Sequence, residues 1–299
     1  MQWRNCAVKL ISMITIDPKS IPVPKLQGYL QGTVAPRPIA FVSSMDSNGL
    51  VNLSPFSFFN MFSTNPPILI FSPSRRVRDN STKHTLQNVF EVSEVVINIV
   101  SYEMVEKASL ASCDFPKGTS EFVKAGFTEL ASVKVKPPRV AESPVSFECK
   151  VNQVIPLGSE GGAGNLVICE VLLMHAKEEI FDADGNINPH KVDAVARMGG
   201  DYYCRAFGDN IFTVPKPNEK VGIGFDRIPE HIRNSKVLTG NDLARLGNVE
   251  KLPDAESIKI FKSNSDWMIF SQNGDESIHR LAQQYLRAGR AEDAWKVLL

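Results

Sequence analysis

The sequence predicts a mainly β protein: an antiparallel barrel with helices inserted singly and a helical extension at its end. Three observations predict it. From Ser47 to Ser74 the chain runs 28 residues without a charge, although 22% of all residues are charged. Pro55, Pro66 and Pro67 would remove backbone donors that lipid cannot replace, so this stretch is no membrane span. It reads instead as two short buried strands, around Leu50 to Leu53 and Pro67 to Phe71, joined by a polar, aromatic, proline-bent segment of the kind that lines pockets. An ordinary buried hairpin is the alternative. The second observation is Asn48-Gly49, a hairpin turn signal between that stretch and the apolar run Pro38 to Ser44. The third is the pair of long runs Val145 to Ile155 and Leu166 to Ala176, joined by a glycine-rich loop. Strand follows strand along the chain, which favours an antiparallel barrel over a doubly wound sheet.

The totals narrow the function classes. Lys plus Arg and Asp plus Glu balance at 33 each in 299 residues, so no global field favours nucleic acid or an acidic membrane. A small-molecule handler is expected. Cys6, Cys113, Cys149, Cys169 and Cys204 form no C-x-x-C pair, which argues for reduced thiols in a cytoplasmic protein, with no disulfide framework and no metal site. The N-terminal residues carry too short an apolar run for a secretory segment, and Met13 offers a second candidate start.

Residues 14–36 form a proline-rich entry arm with a short helix at Lys25 to Gln31, and the Asn-Gly hairpin follows. Arg75, Arg76 and Arg78 then precede a helix that starts near Thr82 to Thr85, with Thr82 as a candidate cap. A helix start beside Lys83 and hydroxyls offers free N–H groups and positive potential to an anion, while a solvated basic turn is the simpler alternative. Glu94 to Ser101 is a buried strand; Glu103 to Ser112 and Glu121 to Ala125 are helices. The loop Gly158 to Asn165 matches neither G-x-G-x-x-G nor a phosphate-binding loop ending in Lys-Ser/Thr, and reads as a flexible hairpin connection. From Lys216 the chain becomes a linker. Asn241 to Leu246 and Glu276 to Leu299 are helical, with Ile278, Leu281, Tyr285 and Leu286 on one face and Gly289 as a break. Such a hairpin is too small to stand alone and is expected to pack on the barrel or on a partner subunit.

These segments resemble one family. Residues 34–74, VAPRPIAFVSSMDSNGLVNLSPFSFFNMFSTNPPILIFSPS, are similar to the signature of the flavin reductase-like, FMN-binding split-barrel proteins, a group that includes flavoredoxin. Lys83-His84-Thr85 with Asn88 falls where that family has Lys-Asp-Thr followed by Asn. EVVINIV, EFVKAGFTE, VKPPRVAESPVSFECKV and NPHKVDAVARMGGDYYCR resemble its later blocks, in order. The resemblance spans about residues 15–215 and divides the chain into a split-barrel domain, 14–215, and an extension, 216–299. It implies a Greek-key type split barrel that binds FMN. It implies that Arg37, Ser43 and Ser44 approach the phosphate and ribityl chain, that Asn52, Leu53, Ser54 and Phe58 lie along the isoalloxazine edge, and that Lys83, Thr85 and Asn88 anchor the phosphate. His84 departs from the pattern by replacing an acid, and can add a donor there.

The activity implied is NAD(P)H-dependent flavin reduction, or else electron carriage by bound FMN without NAD(P)H turnover, as in flavoredoxin. No protein nucleophile is required, in keeping with a chain that has no G-x-S-x-G, no H-E-x-x-H and no paired-carboxylate signature. With no separate dinucleotide domain, a nicotinamide would stack over the flavin in an open groove. His175 and Arg197 are candidates to face it, with a satisfied strand histidine and a structural ion-pair partner as the alternatives. The resemblance further implies a homodimer with FMN near the subunit interface, and a redox partner protein.

Overall fold

The chain enters through a helix, α1 (Val23–Thr33), and a two-residue strand, β1 (Arg37–Pro38), before the hairpin of β2 (Ala40–Met45) and β3 (Val51–Phe56). The structure is a computed structural model and describes residues 12–215, 221–263, 267, 268, 270 and 272–299. The hairpin turn is built by Asp46, whose Oδ1 accepts the N–H groups of Asn48 and Leu50 at 3.0 and 2.9 Å, while Gly49 takes the left-handed conformation at φ 84°.

The uncharged stretch then makes one strand more than the sequence suggests. Between β3 and β5 (Pro67–Phe71) runs β4 (Phe59–Thr64), an exposed edge strand. Next come α2 (His84–Glu91), β6 (Glu94–Ile99), α3 (Val105–Leu110), α4 (Glu121–Ala125), and the short pair β7 (Glu129–Leu130) and β8 (Arg139–Val140). The two long runs form β9 (Val145–Pro156) and β10 (Asn165–Ala176), and α5 (Pro189–Val192), β11 (Val195–Gly199) and β12 (Tyr202–Arg205) follow.

Seven strands form one antiparallel sheet in the order β3-β2-β6-β9-β10-β5-β4. Its two outer strands are joined by Ser57 and Phe58 alone. Six steps of about 4.8 Å would put the edges of a flat sheet about 29 Å apart, whereas three Cα steps reach about 11 Å. The sheet must therefore curl until its edges meet, leaving a seam without ladder bonds between β3 and β4. That is the split barrel. A second sheet, in the order β1-β11-β12, stands beside it.

Alternation along the strands sorts residues between two cores. Ala40 and Val42 face the barrel interior with Phe71, Ile97, Val151 and Val167, and Leu86 and Val89 of α2 join this core. Phe41 faces the other way, into a cluster with Leu53, Met104, Ala108, Phe122 and Phe127 under α3 and α4. Cys149 and Cys169 lie in the barrel core, where burial pushes the Cys149 thiol up to about 12, so both act as small hydrophobes.

The loop from Gly158 to Asn165 is pinned to the basic segment instead of standing free. Arg75 N–H donates to Ala163 O at 2.8 Å, Gly162 N–H to Arg75 O at 2.9 Å, and Asn80 Nδ2 to Ser159 O at 3.1 Å. A Cβ at Gly161 would lie 3.1 Å from Arg76 O, which is why the loop needs glycine there.

The chain divides into two units, the first ending at Phe212 and the second running from Thr213 to Leu299. The second unit contains α6 (Glu230–Arg233), α7 (Gly240–Gly247), α8 (Ala255–Lys262), α9 (Asp275–Arg287) and α10 (Ala291–Leu298). Thr239 and Asp242 form a reciprocal capping box at the start of α7, and Gly289 at φ 75° separates the last two helices. The unit closes a core of its own around Trp295, which is fully buried and donates from Nε1 to Leu246 O at 3.0 Å. The expected need for a foreign surface is met inside the unit, because Ile228, Ile232 and Leu238 add to the apolar face of α9.

One buried pair in this unit sets a pH dependence. Ser235 Oγ accepts the Val237 and Leu238 N–H groups, both at 3.1 Å, so its single proton points at His279 Nδ1, 2.7 Å away. That nitrogen must be unprotonated to accept it. Burial pushes the His279 pKa below 6.5, with His231 adding to the shift and Asp275 and Glu276 opposing it. A base with a lowered folded pKa costs nothing above its unfolded value; stability falls as pH drops below that value toward the folded pKa. The urea midpoint of the full chain's helical unit, followed by tryptophan fluorescence, is expected to drop between about pH 7.5 and pH 5.5. His279→Gln should flatten most of that drop, and an unchanged slope in the variant would refute the assignment.

Candidate functional site

Strand β3 links two concavities of the first unit. At one end, Val51 and Asn52 line a small cleft of about 10 Å³ with Asp46, His84, Asn88 and Lys117. At the other, Pro55 and Ser57 line a groove of about 230 Å³ with Ile39, Val105, Arg197 and Tyr203.

The small cleft has a hydrogen-bonded floor. Asn88 Nδ2 donates to Ser44 Oγ at 3.1 Å, and Asn52 Nδ2 donates to Thr85 Oγ1 at 2.9 Å. All four side chains are buried. The cleft's lining thus gathers residues from the β2–β3 turn, β3 and α2, with Ser44 of β2 and Thr85 of α2 bonded to Asn88 and Asn52, because α2 lies against the β2–β3 hairpin. Ser54 shares the Asn52 face of β3 and is half-buried.

Ser43 and Leu53 do not join this group. Strand alternation turns both to the opposite face, where Ser43 Oγ donates to the Pro138 carbonyl and Leu53 packs beneath α4. The Leu53 N–H donates to Glu121 Oε2 at 3.0 Å, and burial pushes the Glu121 carboxyl up while that N–H opposes the shift. Phe58 is exposed near the Arg37 guanidinium, 6.0 Å from its ring centre. Arg37 itself is buried, and its Nη1 donates to the carbonyls of Gln31 and Val34 at the end of α1.

The start of α2 differs from expectation. Lys83, not Thr82, is the N-cap residue, and no side chain caps the first turn. Thr82 is committed elsewhere: its hydroxyl accepts from Gln87 Nε2 at 3.2 Å and its carbonyl from Arg76 Nη1 at 2.9 Å. The first-turn N–H groups therefore lack a side-chain acceptor. Arg76, Arg78 and Lys83 converge on Asp114 at 2.7, 2.6 and 3.3 Å. The Arg76 hydrogen bond, with those of Arg78 and Lys83, holds the Asp114 carboxyl well below the usual carboxylate range against the effect of burial. Burial, then Arg76, Lys117 and Lys83, lower the His84 pKa, so the ring is neutral at pH 7 and offers one N–H.

Five buried side-chain polar atoms lack a partner among the described residues, two of them, Arg233 Nε and Trp267 Nε1, in the second unit. Ser74 Oγ and Arg76 Nε are such atoms in the segment leading to α2, and Arg37 Nε is another beside β11. An uncapped helix start, lysine, neutral histidine and two orphaned polar groups fit a phosphate-bearing cofactor better than a solvated turn.

In the groove, Arg197 Nη2 donates to Gly200 O at 2.6 Å and its guanidinium lies 4.6 Å from the Tyr203 ring centre. Arg37 and Arg197 are register partners across β1 and β11. His175 lines neither concavity; its Nε2 is 2.7 Å from Oε1 of the fully buried Glu148. Sequence reasoning singled out neither Glu121, Asp114, Lys117 nor Tyr203. Glu121 and Tyr203 lay in blocks whose pattern could have pointed to them; Asp114 and Lys117 did not.

Comparison with known proteins identifies the family and its fold. A family model described as flavin reductase like domain matches residues 33–191. An uncharacterized protein of Aquifex aeolicus (strain VF5) is 41% identical over 178 residues, 60% of this chain and 88% of that one. The structure of nitrilotriacetate monooxygenase component B from Bacillus cereus aligns with a TM-score of 0.63 at 29% identity, covering 68% of this chain and 99% of the other. That of Pseudomonas fluorescens 2-nitrobenzoate 2-nitroreductase NbaA gives 0.60 at 29% identity, covering 68% and 96%. The match takes in more than half of the chain and strands β1 to β10, and ends before β11 and β12; the chain belongs to the flavin reductase-like domain family.

Proposed function

We propose that residues 14–215 bind FMN and act as an oxidoreductase that takes reducing equivalents from NAD(P)H, with 216–299 as a C-terminal extension. The observation that carries this reading is the uncapped, cation-rich start of α2 set directly against the buried Ser44, Asn52, Thr85 and Asn88 group. Bound FMN would supply hydride acceptance from the nicotinamide and electron release at its ring. The residues suited to its phosphate are Lys83, His84 and Thr85, with Ser74 and Arg76 contributing their orphaned polar atoms. Asn52, Ser54 and Asn88 offer amide and hydroxyl groups for the polar edge of a flat ring system, and Phe58 offers an apolar cover. Ser43 and Leu53 act from behind, since their side chains hold β3 and β2 to the segments covering them. The groove beyond Pro55 receives the second reactant, which explains how one site can serve donor and acceptor in turn. The likeness to a monooxygenase component and to a nitroreductase supports redox work on small molecules.

A second copy of the chain is also part of this proposal. Edge strand β4 exposes Met61 at 60% and Phe62 at 64%, an apolar edge that a monomer would leave open.

Three outcomes follow. Purified protein given FMN and then freed of unbound flavin by gel filtration should retain oxidised-flavin absorption that bleaches anaerobically with NADH or NADPH. A band that stays unbleached with both would make the chain a flavin-binding electron carrier with another donor, and no band at all would remove the cofactor assignment. Lys83→Ala should weaken FMN binding about 10- to 100-fold in a fluorescence titration, the worth of one charge-assisted hydrogen bond. Sedimentation should give a dimer that the double substitution Met61→Lys, Phe62→Lys converts to monomer; a wild-type monomer contradicts the dimer.

A further inference from the structure

The two ends of β3 differ in how their positive charge is balanced. At the α2 end Asp114 sits among Arg76, Arg78 and Lys83. At the groove end Arg197 has no carboxylate partner among the described residues; its hydrogen bond goes to the neutral carbonyl of Gly200. A guanidinium carries five donor hydrogens, so most of its capacity is open. Arg37 stands opposite Arg197 in the β1–β11 register and has turned its own Nη1 to the end of α1, so it adds charge without consuming an acceptor in the groove. Burial, and then the nearby Arg197, lower the Arg37 pKa.

The rest of the groove is shaped for a ring. Ile39, Pro55, Val105 and Ala108 give it apolar walls, and Tyr203 packs its ring on the Arg197 guanidinium, fixing the plane of the fork. Ser57, Ser109 and Ser112 place hydroxyls along the lining. A bare inorganic anion would use the fork and waste the walls, whereas a neutral arene would use the walls and leave the charge unmatched.

We propose that this groove is a binding site for a small arene carboxylate, with the carboxylate on the Arg197 fork and the ring between the apolar walls. As the acceptor site of the oxidoreductase described above it rests on that reading, but the binding itself does not require flavin. Arg197 is a binding and specificity residue here. The planar fork matches a carboxylate in two parallel hydrogen bonds, which a lysine in its place cannot reproduce. A dinucleotide pyrophosphate is the other anion such a guanidinium could meet, and it is separated by the test.

The experiment is calorimetric titration of the full chain, with and without FMN, using benzoate and its neutral counterpart benzamide. Benzoate is expected to bind at least about 10-fold more tightly than benzamide, the worth of a charge-assisted hydrogen bond. Arg197→Gln should erase that preference and Arg197→Lys should keep part of it, while FMN affinity, read separately by fluorescence, stays as in the parent. Equal binding of benzoate and benzamide, or an undiminished preference in Arg197→Gln, overturns the proposal. So does benzoate displacing FMN, or ADP-ribose competing with benzoate and binding more tightly through Arg197, which would give the fork to the dinucleotide. If the chain binds no FMN, the oxidoreductase assignment fails while the flavin-free titration still decides the arene carboxylate site.

Discussion

The two-residue link between β3 and β4 is the constraint on which the barrel depends. Ser57 and Phe58 hold the opposite edges of a seven-stranded sheet within a few ångströms, so the sheet curls and its seam stays open. An open seam leaves backbone groups of β3 in need of partners. One is met by a side chain: the Leu53 N–H finds the buried carboxylate of Glu121 on α4. A strand whose outer edge is served by side chains instead of another strand can lie beside a ligand along its length. Both concavities draw residues from this strand for that reason.

Electrostatics then divides the strand's two ends. Near α2 three cations are concentrated and only partly offset by Asp114, with Asp79 also on Arg78, so an arriving phosphate would meet oriented donors and a residual positive charge. At the groove two arginines share the β1–β11 register without a described counter-ion. The two ends therefore favour different anions. The first suits a group that slots among prealigned donors and helix N–H groups, and the second a flat anion that brings its own charge into a partly apolar recess.

Much of the framework was legible because it rests on local chemistry. The Asn48-Gly49 turn, the alternating run from Val145, and the helix at Glu121–Ala125 all follow from short-range signals that the tertiary structure respects. Strand β4 was missed since its Asn60, Met61 and Phe62 all face solvent, so the edge strand shows no apolar alternation to detect. Thr82 was a sound cap by composition, but Gln87 and Arg76 claim its polar atoms and the helix starts one residue later. The Ser44, Asn52, Thr85 and Asn88 group was legible as a set of motif positions; that Ser43 and Leu53 belong to the other face needed strand parity. Arg37 was read as facing a ligand, yet its Nη1 closes the end of α1. Asp114 and Glu121 had no sequence signal as partners, because each meets its donors across more than thirty residues.

A small barrel also limits how many of its polar residues can serve a ligand, and His175 shows how. Glu148 is fully buried and accepts the N–H groups of Val133 and Lys134 at 2.8 and 2.5 Å as well as facing His175. Asn98 donates to Phe41 O and accepts from Val140 N–H and Ser146 Oγ, at 2.9, 3.1 and 2.7 Å. Together they tie residues 133–140 over the outer face of β2, and that segment supplies the Pro138 carbonyl that receives Ser43 Oγ. Polar residues on the outer face are thus committed to holding the covering segment, since a buried donor or acceptor left unpaired would cost about 1–3 kcal/mol. At the cleft, the opposite parity of β2 and β3, with the start of α2, supplies the polar groups. The position of the cleft is therefore a consequence of strand alternation at the seam: Ser44 and Asn52 share one face, while Ser43 and Leu53 hold the other to the segments that cover it.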